Sequence, residues 1–349
     1  MKILLAVNKN CANPLVKELS EKLIQNGLDV TVSDDEFWRC EKKYDIVHIH
    51  WPEALSNWKD YSFAENYFFR KVVLPHWQKK SKVVCTVHNE SPHTIKSKST
   101  IEIYEEIHSK ACGLIHMGRF SQDSIAMEYD RRNLEDIVIP HHVYNSFGIK
   151  IDRNNARERL VLSKNKKIVL CFGALRHLEE KDFLLSAFKD LDGSFFLLAP
   201  SFGLVPRPGK RNFFKWLKWE VQNRERLFPK LRLTSSTVSD DEVNVYFSAA
   251  DVVVIPRLKT LNSGNIPLAF KYGCPVVSSE YGNIGEITKE TGNFTFDPDN
   301  PKSLSKAIND SYNSRMKLSQ SNLDYGVQNW SLDKIALAHK SFYELLSSK

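Results

Sequence analysis

The chain has 349 residues, of which 49 are Lys or Arg and 42 are Asp or Glu, and its formal net charge is +7. This length predicts two domains, and a content of 42% hydrophobic and 26% charged residues excludes a disordered chain. No stretch has the roughly 18 consecutive apolar residues of a membrane-spanning helix, and the start MKILLAVNKN is typical of a buried strand rather than of a signal peptide.

The six cysteines are scattered and form no C-x-x-C pair. Several lie inside apolar runs such as VVCTV and IVLCFG. This pattern predicts reduced, buried thiols of a cytosolic protein and argues against zinc sites and disulfides.

Short apolar runs alternate with amphipathic stretches along the whole chain. The predicted strands of the first half are 2–7, 28–33, 45–50, 82–88, 112–118 and 136–142, with helices over 14–26 and about 100–110. Those of the second half are 166–173, 194–200, about 231–235, 250–256 and 274–279, with helices over 182–190, 239–249 and about 264–272. Near-continuous apolar strands separated by helices predict an α/β fold of two Rossmann-like, doubly wound domains that face each other across a cleft.

A polar, charged segment at 152–166 marks the break between the two halves. We therefore predict domains over 1–150 and 151–325. Residues 326–349 are predicted to form a C-terminal helix that crosses back to the first domain.

Ligands of open parallel sheets bind outside the carboxyl ends of the strands, so the residues there are the candidate site residues. The strand DIVHIH ends in His48, His50, Trp51 and Glu53. Strand alternation places both histidines on one face. His48 is as well explained by packing in the core, whereas His50 and Glu53 are expected to reach the cleft.

His88 directly follows the strand VVCTV, and Asn89, Glu90 and His93 lie close behind it. A histidine at a strand end can act as a base or donate a hydrogen bond to a substrate. A lone histidine there would more often be merely solvated, but the cluster favours a functional role.

Gly173, Arg176 and Lys181 lie between a strand and the helix DFLLSAF. Glycine lets the backbone pass close to a ligand, and two cations at a helix start favour an anion. The pattern predicts a diphosphate site, although a solvated charged turn would have the same composition. It is not a Walker loop, because no GK[ST] follows.

Ser263, Gly264 and Asn265 follow the strand ADVVVIP and precede a helix, so their backbone amides are a second candidate phosphate site. A plain capping turn is the alternative. Glu286 heads a later helix, where capping is the simplest explanation. The pair Asp240–Asp241 is typical of a helix start, so no metal site is predicted.

Four stretches of the chain resemble a known family. In the second half they are FGALRHLEEKDFLLSAF and the segment ADVVVIPR…SGNIPLAFKYGCPVVSSEYGNIGEI, which resemble the nucleotide-sugar-binding half of GT-B glycosyltransferases. In the first half they are DIVHIHWPE and VCTVHNESPH, which resemble the acceptor half. Family 4 of the retaining enzymes and related exopolysaccharide and capsule transferases are most similar, and the resemblance covers roughly residues 40–300.

The resemblance implies a role for each matching residue. Arg176 and Lys181 would neutralise the donor diphosphate, the amides of the 263–265 loop would meet its phosphates, Glu286 would lie near the nucleotide, and His88 would lie near the reacting sugar. The 1–150 domain would then bind the acceptor and the 151–325 domain the nucleotide sugar.

The chain departs from the family at two positions. The family has two glutamates eight residues apart before the GxPVV run, and here these positions are Thr260 and Leu268. The first glutamate contacts the donor sugar in the family, so its absence leaves the sugar open and weakens the inference of retention. An inverting enzyme would need a base, for which Glu53, His88 and Glu90 are the candidates.

The expected activity is metal-independent transfer of a sugar from a UDP-, GDP- or dTDP-sugar to a lipid-linked glycan acceptor in cell-surface polysaccharide synthesis, with no cofactor. A sugar-nucleotide epimerase or hydrolase on the same scaffold is the alternative. A nucleic-acid-binding protein is less consistent with the sequence, since no matching motif is present. A nicotinamide dehydrogenase is excluded by the absence of GxGxxG after the first strand.

The positive charge is local. Residues 205–232 hold nine basic and two acidic residues, which accounts for the whole net charge. Phe213, Leu217, Val221 and Phe228 are spaced as a helical stripe, which predicts either a surface helix docked on its own domain or an interfacial helix at an anionic membrane. Tyr67–Lys82 is a second candidate membrane segment. The enzyme is accordingly expected in the cytoplasm, at the inner face of the membrane.

Overall fold

The computed structural model describes residues 1–8, 13–92, 97–131, 134–175, 177–202, 213–214, 216–217, 226–228, 230–234 and 237–349. The chain forms two units, one of Met1–Tyr144 with Trp330–Lys349 and one of Asn145–Asn329. The sequence predicted the corresponding boundaries at 150 and 325.

The first unit is built on a six-stranded parallel sheet. Its strands are β1 (Lys2–Ala6), β2 (Asp29–Val32), β3 (Ile46–Ile49), β4 (Lys82–Val87), β5 (Gly113–His116) and β6 (Glu135–Val138), in the order β2-β1-β3-β4-β5-β6. Its helices are α1 (Pro14–Gln25), α2 (Asp34–Arg39), α3 (Phe63–Phe68), α4 (Leu74–Lys80), α5 (Lys98–Lys110) and α6 (Arg119–Glu128). The apolar runs form the central strands because the sheet is buried on both faces, as in IVHI and KVVCTV.

The C-terminal segment completes this first unit. Helix α14 (Leu332–Ser348) buries Phe342 and Tyr343 in the same hydrophobic cluster as Ile3, Leu5 and Val84. A Cβ atom on Gly113 would lie 2.7 Å from the Phe342 ring, so β5 begins with the one residue that lets this helix approach.

The second unit has a seven-stranded sheet. Its strands are β7 (Lys167–Leu170), β8 (Phe195–Ala199), β9 (Arg226–Phe228), β10 (Leu231–Leu233), β11 (Val252–Ile255), β12 (Val276–Ser279) and β13 (Phe294–Phe296), in the order β13-β12-β11-β7-β8-β10-β9. Its helices are α7 (Arg153–Arg159), α8 (Leu178–Asp190), α9 (Val243–Ala249), α10 (Asn265–Lys271), α11 (Gly282–Glu290), α12 (Pro301–Asn313) and α13 (Arg315–Asn329). The predicted doubly wound α/β class is confirmed in both units.

The basic segment departs from its predicted helical stripe. Phe228 lies in β9, which pairs antiparallel with β10 at the edge of an otherwise parallel sheet, so it cannot continue a helix that carries Phe213. Only two residues of the sequence separate these strands, which is too few for a parallel crossover. Val221 and most of the other residues of 205–232 lie outside the described part of the chain.

Candidate functional site

The carboxyl ends of β7 and β11 mark the switch point of the second sheet. From β7 the chain proceeds outward to β8, and it later returns to the other side of β7 with β11. Crevices form where successive crossovers depart in opposite directions, so the loops after these two strands line the natural ligand site of the unit. Both predicted phosphate motifs lie in these loops.

A side chain joins the two loops. The Asn265 amide Nδ2, at the start of α10, donates to the carbonyl oxygen of Phe172 after β7, at 2.8 Å. Gly173 follows with φ +85°, a left-handed backbone that glycine adopts at low cost. A Cβ atom there would meet nothing closer than 4.0 Å, so the backbone angle rather than crowding requires glycine. The predicted residues Gly173 and Asn265 therefore lie together.

The loop after β11 is also fixed from the other side. Asn283 Nδ2 donates to Asn262 Oδ1 at 2.9 Å, and a Cβ atom on Gly282 would lie 2.5 Å from the Thr260 carbonyl oxygen. The Ser263 hydroxyl accepts from the Asn265 backbone amide at 3.3 Å, and the N-cap residue of α10 is Gly264, which has no side chain to cap the helix. Gly264 is half-buried between them. The loops after β7 and β12 thus both contact the β11 loop that carries the 263–265 turn.

Lys181 is enclosed in the fold. It lies in α8 with none of its surface exposed, and its Nζ sits 4.9 Å from the centre of the Phe202 ring. Burial lowers the pKa of its ammonium group to about 8, against a weaker opposing effect of Asp182. The expected surface cation is therefore a desolvated one. Arg176 lies outside the described residues.

Arg257 is a residue whose role the sequence analysis missed. It lies two residues past the end of β11, and its guanidinium pairs with Glu180 of α8 at 3.1 Å and donates to the Ala174 carbonyl oxygen. It therefore ties the β7 loop, the start of α8 and the β11 loop together. Its position at a strand end was a visible signal, but its partners are about 80 residues away along the chain.

Three other residues named from the sequence have clear positions. Glu286 is half-buried in α11, one residue past Gly285, where a Cβ atom would lie 2.2 Å from the Glu280 carbonyl oxygen. Leu268 is buried in α10, so the position of the family's second glutamate has become part of the core. Thr260 turns its hydroxyl to the Asn262 carbonyl oxygen at 3.4 Å.

In the first unit, histidines form a buried cluster at the ends of β3 and β4. His48 Nδ1 lies 2.7 Å from the Tyr343 hydroxyl and its Nε2 lies 2.8 Å from the Thr86 hydroxyl. His50 stacks on His48, and its Nδ1 lies 3.2 Å from Nε2 of His88. The core interpretation of His48 agrees with this geometry. Tyr343 was missed because it is 295 residues away from His48 along the chain.

His88 has a defined orientation. Its ring stacks on Trp51 with centroids 4.0 Å apart, and its amide donates to the Thr86 carbonyl oxygen at 3.0 Å. Nε2 of His88 lies within hydrogen-bonding distance of Nδ1 of His50. The other ring nitrogen of His50, Nε2, is buried without a hydrogen-bond partner among the described residues. Burial lowers the pKa of His50 to about 3, so this ring is neutral and one of the two imidazoles donates in the pair.

His50 and Glu53, both expected to reach a cleft, are buried. Only 1% of the surface of Glu53 is exposed, and its Oε2 accepts a short hydrogen bond from the Tyr104 hydroxyl. Burial, with Glu53 as a further cause, holds the pKa of Tyr104 well above its usual range, so the phenol keeps its proton. A carboxylate enclosed in this way is not open to an acceptor hydroxyl, in contrast with the expected cleft position.

Glu90 remains accessible. It is half-buried and accepts from the Ser124 hydroxyl at 2.8 Å. Asn89 beside it is buried, and His93 lies outside the described residues. Of the three predicted catalytic residues, His88 and Glu90 thus lie at the end of β4, and Glu53 is buried in the first unit.

The described residues contain neither a membrane-spanning helix nor a cluster of metal-ligating side chains. No helix there is long and apolar enough to cross a membrane. No group of three or more His, Cys, Asp or Glu side chains in the same residues has the arrangement of a metal site.

Comparisons with known proteins identify a family model for part of the chain and a fold for the whole of it. Residues 166–314, most of the second unit, match the family model described as glycosyl transferases group 1. No curated protein sequence matches the chain.

Solved structures match over the whole chain. Sucrose-phosphate synthase from Thermosynechococcus elongatus has a TM-score of 0.71 at 16% identity, with 99% of each chain covered. Anabaena HepE in complex with UDP-glucose has a TM-score of 0.71 at 16% identity, with 100% of each chain covered. WaaG, a glycosyltransferase involved in lipopolysaccharide biosynthesis, has a TM-score of 0.64 at 12% identity, again over 100% of each chain.

Proposed function

We propose that this chain, which has the GT-B fold and matches the group 1 glycosyl transferase model at residues 166–314, is a glycosyltransferase that transfers a sugar from a nucleotide-diphosphate sugar to a lipid-linked glycan. The observation that supports the donor part best is the joining of the β7 and β11 loops by Asn265 at the switch point of the second sheet. HepE was solved with UDP-glucose and WaaG acts in lipopolysaccharide biosynthesis, so we propose a UDP-sugar donor and a cell-surface glycan product.

In the proposed reaction the bond between the sugar C1 and the diphosphate oxygen breaks, and the acceptor oxygen forms a new bond to C1. Negative charge grows on the leaving diphosphate, and fixed cations and amides that stabilise this charge lower the barrier. Arg176, the enclosed Lys181 and the amides of the 263–265 turn would supply this stabilisation without a metal ion. The low polarity around Lys181 strengthens its attraction for an anion.

The acceptor side is proposed to lie at the end of β4. We propose a retaining reaction in which the acceptor proton passes to the leaving phosphate and His88 positions the acceptor. Under an inverting mechanism, His88 or Glu90 would take the proton instead. Thr260 and Leu268 replace the family's glutamates, so the sugar hydroxyls must be recognised by other groups of this chain.

A two-stage assay tests the proposal. UDP-, GDP- and dTDP-sugars are first screened for thermal stabilisation of the chain, and those that stabilise it are tested for transfer to lipid-diphosphate saccharides with EDTA present. We expect transfer in EDTA and a product that keeps the anomeric configuration of the donor. Release of free nucleotide without an acceptor would indicate the hydrolase alternative, and conversion of the donor to an isomeric nucleotide sugar would indicate the epimerase alternative. Inversion at the transferred sugar would reject the retaining mechanism.

We place the enzyme in the cytoplasm, on the inner face of a membrane, because lipid-linked acceptors reside in membranes. The segment 205–232 carries the excess charge, but it lies mostly outside the described residues. The described part of the chain offers a second, better-defined surface for the same task.

A further inference from the structure

One surface of the first unit exposes several large apolar side chains along a single stretch of chain. They are Trp58, Phe63, Tyr67, Phe68 and Val72, whose exposed fractions run from 43% for Phe68 to 82% for Phe63. Scattered single hydrophobic residues are normal on a surface, but a contiguous group marks an interaction site. We call this group the aromatic face.

The helix that carries the aromatic face is firmly anchored. Ser62 and Glu65 form a reciprocal capping box at its start, with the Ser62 amide donating to Glu65 at 2.8 Å. The opposite side buries Phe69, Val73 and Trp77, and the Trp77 indole donates to the Phe37 carbonyl oxygen at 3.0 Å. The exposed residues of the aromatic face therefore do not take part in the core of this unit.

Positive charge surrounds the aromatic face. Lys59, Lys71, Lys79 and Lys80 are exposed in the same segment, and none of the ion pairs between described residues includes them. Arg70 differs, since it pairs with Glu102 at 2.9 Å and Glu106 at 3.4 Å.

Residues 57–80 hold five Lys and Arg residues but only two acidic ones, Asp60 and Glu65. Asp60 accepts from the Thr100 hydroxyl at 3.2 Å, and Glu65 is held in the capping box. The face therefore presents an excess of positive charge to a partner.

Trp58 connects this face with the candidate acceptor residue. Asn57 and Trp58 both have left-handed backbones, with φ of 54° and 61°, and the Trp58 amide donates to the Glu53 carbonyl oxygen at 2.8 Å. Such strained conformations are kept where the surroundings impose them, often at functional sites. The Trp58 ring lies 6.2 Å from Trp51, which in turn stacks on His88.

We propose that the aromatic face docks on an anionic lipid bilayer, and that Trp58 and Trp51 guide the acceptor head group from the bilayer to His88. The second half of this inference rests on the proposed function. Aromatic and aliphatic side chains that insert at the headgroup level, framed by lysines, are the composition of an interfacial surface. A second copy of the chain fits less well, because it would bring the lysines of two such faces together.

Vesicle flotation of the full-length chain tests the docking. We expect binding to vesicles of phosphatidylcholine with 30% phosphatidylglycerol and about tenfold weaker binding to pure phosphatidylcholine. The double variant Phe63→Ser, Tyr67→Ser should lose at least about tenfold in binding, and Lys71→Glu with Lys79→Glu a similar amount.

Matched controls lie on the same unit. Met127→Ser removes an equally exposed apolar side chain, 88% exposed on α6, and Lys98→Glu reverses an equally exposed charge on α5. Both should bind vesicles as the wild type does. A Trp58→Leu variant changes one residue of the aromatic face, so it is compared with the wild type at lipid concentrations that bind both proteins fully. There it should transfer sugar more slowly than the wild type to a membrane-embedded acceptor, with a smaller loss on a detergent-free, short-chain analogue.

Several results would overturn the inference. These are equal binding to neutral and anionic vesicles, unchanged binding of the Phe63/Tyr67 variant, or loss of binding only in a Phe213→Ser, Phe214→Ser variant of the basic segment. Binding to a soluble polyanion that equals vesicle binding would show that charge alone acts. Thermal stabilisation by a nucleotide sugar is measured for every variant, so failure of the donor site is seen separately from failure of docking.

Discussion

Lys181 is a residue whose sequence context and structural environment differ. From the sequence it is one of two cations before a helix, and nothing there indicates that it is enclosed. The structure leaves no part of its surface exposed and places its Nζ over the Phe202 ring, and burial lowers the pKa of the ammonium group. A desolvated cation attracts an anion more strongly than a solvated surface lysine does, which fits the proposed binding of a donor diphosphate.

The first prediction concerns the pH dependence of donor binding. Burial lowers the pKa of Lys181 to about 8, so the side chain is charged below that pH and loses its proton above it. Affinity for a nucleotide diphosphate should therefore fall between pH 7.5 and 9, by up to about tenfold per unit. Calorimetric titration at constant ionic strength measures this. Lys181→Arg should flatten the profile, and a flat wild-type profile would contradict the prediction.

The second prediction concerns His50, which we expect to act as a positioning residue for His88. Removing the hydrogen bond by His50→Leu should lower kcat about 10- to 100-fold through misplacement of His88, with little change in donor affinity. The pH profile of kcat should shift as well, because the tautomer of His88 is no longer fixed. His108→Leu is the control, since His108 is an equally buried histidine of the unit whose pKa burial also lowers to about 3. Equal losses in both variants would indicate a general packing effect.

At the scale of elements, the strand-end loops decide the shape of the donor site. The strands themselves were predictable, because continuous apolar runs such as KKIVLCFG and ADVVVIP leave few alternatives to a doubly buried strand. The contacts between their loops were not, because they join residues about 20 to 90 positions apart. Helices α3 and α4 were not predicted for another reason. Apolar side chains lie on the exposed side of this segment as well as on its buried side, so the sequence shows no amphipathic pattern.

A third prediction tests the packing of these loops. Gly282 has φ +72°, and an added Cβ atom would lie 2.5 Å from the Thr260 carbonyl oxygen. Gly282→Ala should lower the free energy of unfolding by about 1–3 kcal/mol and weaken donor binding, because the 263–265 turn must shift. Gly292→Ala is a matched control with the same φ of +72° and nothing within 4 Å of the added atom. If both variants behave alike, backbone strain alone explains the loss and the loop contact is unimportant.

At the scale of the whole molecule, buried histidines link the protein's stability to pH. Burial lowers the pKa of His141 to about 3 and that of His339 to about 4. Burial also holds the pKa of His48 well below its usual range. In the unfolded chain the same groups titrate near 6.5. Between about pH 4 and 6.5 these histidines are therefore neutral in the native state and protonated in the unfolded state.

The fourth prediction follows from that difference. Stability should be complete above about pH 6.5 and should fall as the pH drops towards 4, with a slope of up to about 1.4 kcal/mol per pH unit for each such histidine. Denaturant unfolding between pH 5 and 7.5 measures the slope. His339→Leu should reduce it, and stability that is independent of pH in this range would contradict the prediction.

The fold class and the donor-side loops could be predicted because periodicity, strand ends and a family resemblance all lie in local sequence. The first unit's site could be predicted only in part. His88 follows a strand and was found, but the burial of Glu53 depends on Tyr104, which lies 51 residues further along the chain. The return of the C-terminal segment to the first unit was predicted, but its contact between Phe342 and Gly113 was not, because the missing side chain of a glycine carries no local signal.

The proposed function depends on binding of a nucleotide-sugar diphosphate at the switch point between β7 and β11. Calorimetric titration of UDP-glucose, GDP-mannose and dTDP-glucose into the wild type and three variants tests it most directly. We predict that at least one donor binds, that Arg176→Ala and Asn265→Ala each weaken it tenfold or more, and that Arg159→Ala, an exposed cation on α7, leaves it unchanged. Unchanged donor affinity in Arg176→Ala and Asn265→Ala would contradict the account.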